Sequence, residues 1–241
     1  MLLTQRALVI KTADFGESDK LLTCLTESGN IVLLAKGARR NNSRFLACSQ
    51  LLSFCEFTFI KKSSAVCVAR GCSLIENFYG IRENPDKLFL ATYFCELLLH
   101  LGDSLRSCEA LRFCLNSFHR IEKSDGLKLM KPVFELKLMC LAGLAPSLSR
   151  CCVCGENEIY GFSVKGGGSA CRKCSDFPLS FGTFLAVKHI VSASAEKLYS
   201  FSLSAECSRE LFDLCEKYIT EFLNFTPKTR DFVFGISDFS V

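Results

Sequence analysis

Tryptophan is absent from the 241 residues of the chain, while proline occurs only five times and glycine fifteen times. So little proline and glycine excludes a collagen-like repeat and a proline-rich linker protein. Hydrophobic residues make up 49% of the chain and charged residues 22%, which is the composition of a globular protein and argues against disorder. A chain of this length predicts one or two domains.

The chain also lacks a secretory signal and a long apolar run. Met1–Arg6 shows no charged region followed by an apolar stretch. The most apolar segment, Leu88–Leu101, is too short to cross a bilayer and is interrupted by Glu96 and His100. We therefore expect a cytoplasmic protein with no membrane partner. Thiols stay reduced in that compartment, so most of the sixteen cysteines should behave as small core hydrophobes.

The usual sequence signatures of catalysis are missing as well. No Gly-x4-Gly-Lys-Ser/Thr phosphate loop occurs, and Lys165–Gly168 has the wrong order of residues for one. Neither Gly-x-Ser-x-Gly nor His-Glu-x2-His is present. The three histidines, His100, His119 and His189, each stand alone on a segment with helical spacing. The chain is therefore predicted not to be an enzyme.

The first 80 residues predict β structure. Short apolar and β-branched runs alternate with turn signals such as Glu27–Gly29 and Lys61–Ser64. About five short strands separated by turns are typical of a small barrel or sandwich, and the pattern fits an SH3-like barrel or an OB-fold equally well. The expected strands are Arg6–Thr12, Leu21–Thr26, Asn30–Ala35, Phe54–Ile60 and Ala65–Ala69.

From residue 84 onwards the apolar residues follow helical spacing. Asn84 and Pro85 are a typical helix start, because asparagine caps the first turn and proline fits its first position. This first helix has few polar residues and should be central and buried on most sides. Further helices are expected over about residues 105–121, 127–141, 179–191 and 204–222, with Gly143 as a stop and a tail over the last fifteen residues. The fold class is therefore multi-domain α+β.

Two Cys-x2-Cys pairs give the sharpest local signal. Sixteen residues separate the first pair from the second, and the four cysteines are Cys151, Cys154, Cys171 and Cys174. Each pair places two thiolates on one tight turn, and two such turns complete tetrahedral coordination of Zn²⁺. Four protein ligands leave no open position, so one structural zinc ion per chain is predicted. The alternatives are free thiols or two disulfides, which a reducing compartment disfavours. Cys152 falls outside the spacing.

Positive charge is concentrated in the first third of the chain. Residues 1–80 contain ten Lys/Arg and six Asp/Glu, whereas residues 81–241 contain nineteen of each. Ser28–Cys55 contains no acidic residue. Cations beside Gly37 in this stretch could bind phosphate oxygens, although an ordinary solvated loop is the alternative interpretation. The candidate nucleic-acid-binding residues are Lys36, Arg39, Arg40 and Arg44.

Aromatic side chains near these cations could stack on bases. The candidates are Phe45, Phe54, Phe57 and Phe59. Alternation along a strand places Phe57 and Phe59 on one face, and such a face more often belongs to the core.

Taken in order, the segments resemble the bacterial RecO family of recombination mediators nearly end to end. In the N-terminal part the resemblance rests on Ala7–Lys11, Phe15–Glu17, Leu25–Gly29, Ala35–Arg40 and Ser43–Arg44. In the helical part it rests on Ala91–Leu97, Phe134–Met139 and Gly143–Pro146, which lead into the first cysteine pair.

The resemblance implies an N-terminal OB-fold over residues 1–80, a helical domain over residues 81–146 and 179–241, and an inserted zinc ribbon over residues 147–178. It implies a non-enzymatic DNA repair protein that binds single- and double-stranded DNA and anneals complementary strands. Its partners would be RecR and the single-stranded-DNA-binding protein SSB. Together with RecR it would help RecA load onto SSB-coated strands at the bacterial nucleoid.

The resemblance also implies that the helical domain binds the acidic, apolar C-terminal tail of SSB. Lys128, Lys131 and Lys137 lie on a predicted helix with an apolar face, which would suit such a peptide, or they form an ordinary solvated face. A competing function belongs to a different class. In that alternative the chain is a zinc-ribbon scaffold that binds only protein in transcription or translation, with no direct role at DNA.

Overall fold

Five strands occupy the N-terminal third of the chain in a computed structural model that describes residues 1–61, 65–102, 104–105, 108–124 and 126–234. The strands are β1 (Leu2–Phe15), β2 (Asp19–Thr26), β3 (Gly29–Ala35), β4 (Phe54–Ile60) and β5 (Val66–Glu76). They close into a barrel in the order β1-β2-β3-β5-β4, in which only β3 and β5 pair in parallel. This OB-like barrel is the one that the RecO resemblance implies, and it decides between the two barrel types that the sequence pattern allowed. Residues 62–64 of the predicted turn lie outside the described residues.

Strand β1 is longer than its predicted span because it has two neighbours. Residues 2–8 pair with β4, and residues 8–15 pair with β2. The register with β2 shifts between Val9 and Lys11, so Ile10 is the extra residue of a β-bulge that bends the strand. Where β1 leaves β4, the Leu52 N–H donates to the Val9 carbonyl at 2.8 Å, and the Val9 N–H donates to the Ser53 carbonyl at 2.9 Å.

The chain forms two compact units, one of residues 1–123 with 227–233 and the other including residues 124–226. The first unit adds to the barrel the helices α1 (Tyr79–Arg82), α2 (Pro85–Leu101) and α3 (Cys108–Lys123). Helix α2 contacts β1, and α3 contacts β2. The compact unit that contains the barrel therefore extends past the expected boundary at residue 80, because α2 packs on β1 and α3 on β2.

Helix α2 begins as predicted. The Asn84 side chain accepts hydrogen bonds from the N–H groups of Asp86 and Lys87 at 2.9 and 3.2 Å. A cap of this kind contributes about 1 kcal/mol. Eight of the helix's seventeen residues are buried and three are exposed, which confirms the expected burial on most sides. Among the residues that the structure describes, no helix, including this apolar one, is long and apolar enough to cross a membrane.

The second unit combines three helices with a small ribbon. Its elements are α4 (Met130–Leu141), the strands β6 (Gly161–Ser163), β7 (Gly168–Ala170) and β8 (Phe177–Pro178), then α5 (Phe181–Ser192) and α6 (Ala205–Leu223). Helix α4 contacts both α5 and α6, and every residue from Met130 to Met139 is buried. It ends two residues before Gly143, the predicted stop.

Two lysines that the sequence placed on an accessible face of α4 are inside the unit. Lys131 is fully buried, and its Nζ lies 2.7 Å from Glu135 Oε1 and 2.6 Å from Glu216 Oε2. The same ammonium group lies 4.3 Å from the centre of the Phe212 ring. Burial alone would lower the pKa of Lys131, but the two carboxylates raise it above its ordinary value, so the lysine stays charged.

Lys137 is also occupied within the unit. Its Nζ donates to the carbonyls of Val191 and Ala193, at 3.3 and 2.7 Å, where α5 ends. Placing Lys131 and Lys137 on a surface that binds a peptide was therefore wrong, because helical spacing does not tell how many neighbours surround a helix. Of the three predicted lysines, only Lys128 is exposed.

The end of the chain contains a short helix, contrary to the expectation of a simple tail. Helix α7 (Arg230–Phe234) follows Thr229, whose N–H and Oγ1 both donate to Glu96 Oε2 at 3.2 Å. The Phe232 ring stacks on Phe89 of α2 with 5.3 Å between the ring centres. These contacts fix the segment against α2 within the first unit. The rest of the expected tail, residues 235–241, lies outside the described residues.

Replacing Lys131 by methionine should lower the free energy of unfolding by about 3–5 kcal/mol, because the Glu135 carboxylate would stay buried without its cation. The double variant Lys131→Met, Glu135→Leu should recover part of the loss, since an apolar pair has no charge to desolvate. Urea unfolding measures both effects. Lys128→Met is the matched control at an exposed position and should change stability by less than about 0.5 kcal/mol. A loss below about 1 kcal/mol in Lys131→Met would contradict the structural role given to the pair.

Candidate nucleic-acid interface and metal centre

The four predicted DNA-binding residues lie in the connection between β3 and β4, residues 36–53, which we call the basic segment. Three of its apolar residues, Ala38, Phe45 and Cys48, belong to the core of the barrel. Its cationic side chains are exposed, namely Lys36, Arg39, Arg40 and Arg44. The apolar anchors therefore hold the backbone against the barrel and leave the cations in solvent.

The start of the basic segment is fixed by a turn that requires glycine. Gly37 has a φ of 67°, in the left-handed region that other residues rarely adopt. Its N–H donates to Asp19 Oδ1 at 2.7 Å, and the Arg39 N–H donates to the Ser18 carbonyl at 2.9 Å. Both acceptors lie in or beside the β1–β2 turn, so this turn determines where the first cations stand.

Arg39 differs from the other three cations because it has partners within the protein. Its Nε lies 3.4 Å from Asp14 Oδ2, and its Nη1 donates to the carbonyls of Gly16 and Glu17 at 3.5 and 3.3 Å. Both charged side chains are partly exposed, so the ion pair is weak. The stretch that contains no acid in sequence therefore lies beside Asp14 and Asp19 in space, which the local charge count could not predict.

The other cations are freer to meet a ligand. In the parts of the chain that the structure describes, no carboxylate forms an ion pair with Lys36, Arg40 or Arg44. The Arg44 guanidinium lies 5.2 Å from the centre of the Phe45 ring, a distance that permits a cation–π contact. Three accessible positive charges on one anchored connection can neutralise phosphate oxygens without reading bases.

The aromatic candidates for base stacking are mostly in the core. Phe45, Phe57 and Phe59 are buried inside the barrel, as alternation predicted for Phe57 and Phe59. Phe54 is only partly buried. The three buried rings fill the inside of the barrel. They cannot stack on a base while the barrel stays folded.

The four cysteines of the predicted metal site come together in the second unit. Their sulfur atoms all lie within 4.8 Å of one another, and Cys154 Sγ lies 3.7 Å from Cys171 Sγ. A tetrahedral centre with metal–sulfur bonds of about 2.3 Å has sulfur–sulfur edges of about 3.8 Å. The cluster thus has the size and the donor set that a four-thiolate metal site requires, and it could hold one metal ion.

Two matching turns present these sulfurs. In the first turn the Gly155 N–H donates to the Cys151 carbonyl at 2.9 Å, and in the second the Ser175 N–H donates to the Cys171 carbonyl at 2.9 Å. Both bonds join the first cysteine of a pair to the residue just after the second. Each Cys-x2-Cys pair therefore makes the same tight loop, which the spacing predicted.

Backbone groups already favour negative charge at one of these sulfurs. The N–H groups of Cys171 and Cys154 lower the pKa of the Cys151 thiol to about 6. In contrast, the neighbouring thiols of Cys171 and Cys154, with burial, raise the pKa of Cys174 to about 12. Four thiolates so close together repel one another, and a cation at their centre would remove that repulsion.

The ribbon around the cysteines is held by a close backbone approach and by packing on α6. A Cβ atom on Gly168 would come within 2.3 Å of the Ser147 carbonyl oxygen, so only glycine fits there. Phe162 of β6 meets Tyr218 of α6 edge-on, with 5.8 Å between the ring centres. Cys152, which the spacing excluded from the site, is not among the clustered sulfurs, and its N–H donates to the Ser169 carbonyl at 2.8 Å.

An apolar groove lies between the ribbon and the start of α5, and sequence reasoning missed it. Its volume is about 230 Å³, and its lining residues are Ile159, Tyr160, Gly161, Leu179, Phe181 and Phe184. Phe181 is 75% exposed, which is unusual for a phenylalanine. Two cations lie on its aromatic walls: Arg172 is 4.8 Å from the Tyr160 ring centre, and Lys188 is 5.4 Å from that of Phe184.

Comparison with known proteins assigns both parts of the chain to one family. The model described as Recombination protein O N terminal matches residues 1–78, and Recombination protein O C terminal matches residues 82–231. A DNA repair protein RecO from Acetivibrio thermocellus is 32% identical over 237 residues, which cover 94% of each chain. A DNA repair protein RecO from Caldicellulosiruptor bescii is 30% identical, and the alignment covers 96% of this chain and 97% of the relative. A DNA repair protein RecO from Clostridium novyi is 28% identical, and the alignment covers 94% of this chain and 91% of the relative.

We expect elemental analysis of the purified protein to find one metal ion per chain, held by the clustered cysteines. Cys171→Ser should lose the ion and loosen the ribbon, because binding free energy at such sites is also folding free energy. Cys152→Ser is the matched control, since it changes a neighbouring thiol outside the cluster, and it should keep the full metal content. A wild-type protein with well below one ion per chain after metal-replete expression would refute the site.

Proposed function

This chain belongs to the RecO family of DNA repair proteins, and we propose that it is a non-enzymatic recombination mediator of the bacterial cytoplasm and nucleoid. It binds single- and double-stranded DNA and anneals complementary strands. Together with RecR it helps RecA load onto SSB-coated single strands. The observation that carries this proposal is an OB-like barrel with exposed cations on an anchored connection, in a chain that both RecO models match.

Lys36, Arg40 and Arg44 supply the contacts to phosphate. Their side chains are exposed, and the backbone beneath them is fixed by buried anchors, so little ordering is needed when a strand binds. Arg39 contributes less, because Asp14 and two carbonyls compete for its guanidinium. Phosphate contacts carry no sequence information, so binding is nearly independent of sequence.

Annealing follows from the same charges. Two strands repel each other through their phosphates, and cations between them reduce this repulsion. An annealing assay with complementary oligonucleotides, run with and without SSB, tests the mediator function directly. The competing scaffold that binds only protein predicts neither faster annealing nor a retarded band with single-stranded DNA in a gel shift.

The ion in the ribbon is Zn²⁺, with a structural role. Four thiolates in a closed tetrahedral arrangement suit zinc and leave no position for a substrate. The cysteines that would hold it lie on two tight turns beside α6, so the ion would stiffen the ribbon and its contacts with that helix.

The apolar groove between the ribbon and α5 binds the C-terminal tail of SSB. That tail is acidic and apolar, and the groove offers aromatic walls with Arg172 and Lys188 at its rim. This location replaces the helix of Lys131 and Lys137, whose ammonium groups have internal partners. Exposed apolar surface of this kind commonly marks a site of protein contact.

If Lys36, Arg40 and Arg44 each neutralise one phosphate, the logarithm of the affinity for single strands should fall with the logarithm of salt with a slope of about −2. Raising salt from about 50 to 200 mM would then weaken binding roughly twentyfold. The triple alanine variant should bring the slope close to zero, on oligo-dT and on a mixed sequence alike. Arg39→Ala is the matched control and should change the slope much less. Circular dichroism verifies folding, and an unchanged slope in a folded triple variant would exclude these residues as phosphate contacts.

Phe181→Ala should weaken binding of a fluorescent SSB-tail peptide by about 1–2 kcal/mol, or roughly five- to thirtyfold, because it removes an exposed aromatic anchor. Lys188→Glu should weaken it further through repulsion of the acidic tail. Fluorescence anisotropy measures both, and Lys128→Ala should have no effect. Weaker binding in Lys128→Ala together with normal binding in Phe181→Ala would place the peptide elsewhere in the unit.

A further inference from the structure

Three thiols meet where the basic segment passes β4 and β5. Cys55 pairs with Leu74, and Cys72 pairs with Phe57, so Cys55 and Cys72 are diagonal neighbours on the same face of two adjacent strands. Cys48 comes from the basic segment, and its carbonyl accepts a hydrogen bond from the Cys55 thiol at 3.9 Å. All three side chains pack in one cluster at the core of the barrel.

The basic segment makes one helical turn above these strands. The Ser49 N–H donates to the Phe45 carbonyl at 2.8 Å, so residues four apart lie on the same side of this turn. Arg44 and Cys48 are four apart. The Cys72 thiol donates to the Arg44 carbonyl at 3.3 Å, and the Cys72 side chain also contacts that of Cys48. Cys72 is partly exposed, which makes it the edge of the cluster that solvent can reach.

Contacts within the cluster favour one thiolate among three sulfurs. The neighbouring side chains of Cys55 and Cys72 lower the pKa of Cys48 to about 4. The pKa values of Cys55 and Cys72 are raised by the same contacts and by burial. A thiolate with a neighbouring thiol is the arrangement in which an oxidised cysteine is resolved as a disulfide.

We propose that Cys48 and Cys72 form a reversible disulfide on exposure to hydrogen peroxide, and that this bond weakens DNA binding by displacing Arg44. The second part rests on the function proposed above, whereas the first does not. Nothing in the assigned function uses these thiols.

The chemistry needs only the peroxide. The Cys48 thiolate attacks one peroxide oxygen, so an S–O bond forms, the O–O bond breaks, and hydroxide leaves to become water. The Cys72 sulfur then attacks the Cys48 sulfur, so the S–S bond forms, the S–O bond breaks, and a second water carries away the Cys72 proton. Two thiols lose two electrons in all, and the peroxide gains them. A dithiol reductant reverses the reaction.

The link to DNA binding is the hydrogen bond between Cys72 and Arg44. In the disulfide, Cys72 has no hydrogen to donate, so the Arg44 carbonyl loses this donor and the turn that carries Arg44 is pulled toward β5. Arg44 is one of the three accessible cations of the basic segment. Its loss as a phosphate contact should reduce the salt slope on single strands by about 0.7.

Other cysteines of the described residues are less suited to this role. Burial raises the pKa of the thiols of Cys24, Cys95, Cys114 and Cys215. Cys48 is buried as well, but its contacts with Cys55 and Cys72 lower its pKa.

Peptide mapping of the full-length protein tests the bond. Trypsin places Cys48 and Cys55 on one peptide, Phe45–Lys61, and Cys72 on another, Gly71–Arg82. After peroxide treatment and alkylation, we expect mass spectrometry to find these two peptides joined, with the link cleaved by dithiothreitol. The link should persist in Cys55→Ser and vanish in Cys72→Ser. A loop within Phe45–Lys61, formed by loss of two hydrogens, or no loss of free thiol at these positions, would overturn the proposed pairing.

Affinity for single-stranded DNA, measured before and after peroxide, tests the consequence. We expect oxidation to lower the affinity several-fold, with recovery in dithiothreitol and no response in Cys72→Ser or Cys72→Ala. Cys108→Ser, at an exposed thiol outside the cluster, should respond like the wild type. The metal content is measured in parallel, because oxidation of the ribbon cysteines would release the ion, whereas oxidation of the barrel cluster would not. Reduced protein that binds no DNA would refute the proposed function but not the bond, whereas a mapped bond with unchanged affinity would refute only its effect on Arg44.

Discussion

One strand closes the barrel, and the rest of the first unit depends on how it does so. Strand β1 pairs with β4 over its first half and with β2 over its second, and the bulge at Ile10 bends it between the two. Because β4 and β3 are not neighbours, the chain must cross from one to the other through the basic segment. Ala38, Phe45 and Cys48 anchor that crossing to the barrel core, while its cations are exposed. Barrel closure and display of positive charge are therefore consequences of the same pairing.

The sequence predicted those features that depend on interactions between residues close together in the chain. The cap at Asn84, the turns of the two Cys-x2-Cys pairs, the inward face of Phe57 and Phe59 and the stop before Gly143 each depend on a few neighbouring residues. Long-range contacts escaped prediction. Lys131 looked accessible because its salt-bridge partner Glu216 lies 85 residues away, and Asp14 reaches Arg39 only through the fold. The groove beside Phe181 is lined by residues of the ribbon and of the start of α5. Neither segment alone shows that the two pack together.

The cysteines show how one residue type takes on different chemistry through its surroundings. Cys24 in the barrel and Cys95 in α2 are small apolar fillers, and burial keeps their thiols protonated. In the ribbon, backbone N–H groups point at the sulfurs and four thiols share one centre. Around Cys48, the neighbouring thiols of Cys55 and Cys72 donate to backbone carbonyls of the basic segment. The spacing in the sequence identifies only the ribbon cysteines, because only these cysteines lie in pairs on short turns.

The position of the ribbon has a consequence for the order in which the second unit folds. Helices α4 and α5 contact each other, yet about forty residues separate the end of one from the start of the other. Bringing the ends of such a loop together is slow and entropically unfavourable, by about 0.6 kcal/mol for each doubling of length. A ribbon whose sulfurs were held around one ion would shorten the effective loop to about fifteen residues, those between the helices and the outermost cysteines, Cys151 and Cys174. Metal binding would therefore lower the entropic cost of pairing α4 with α5, so a chain without the ion would form the second unit less readily.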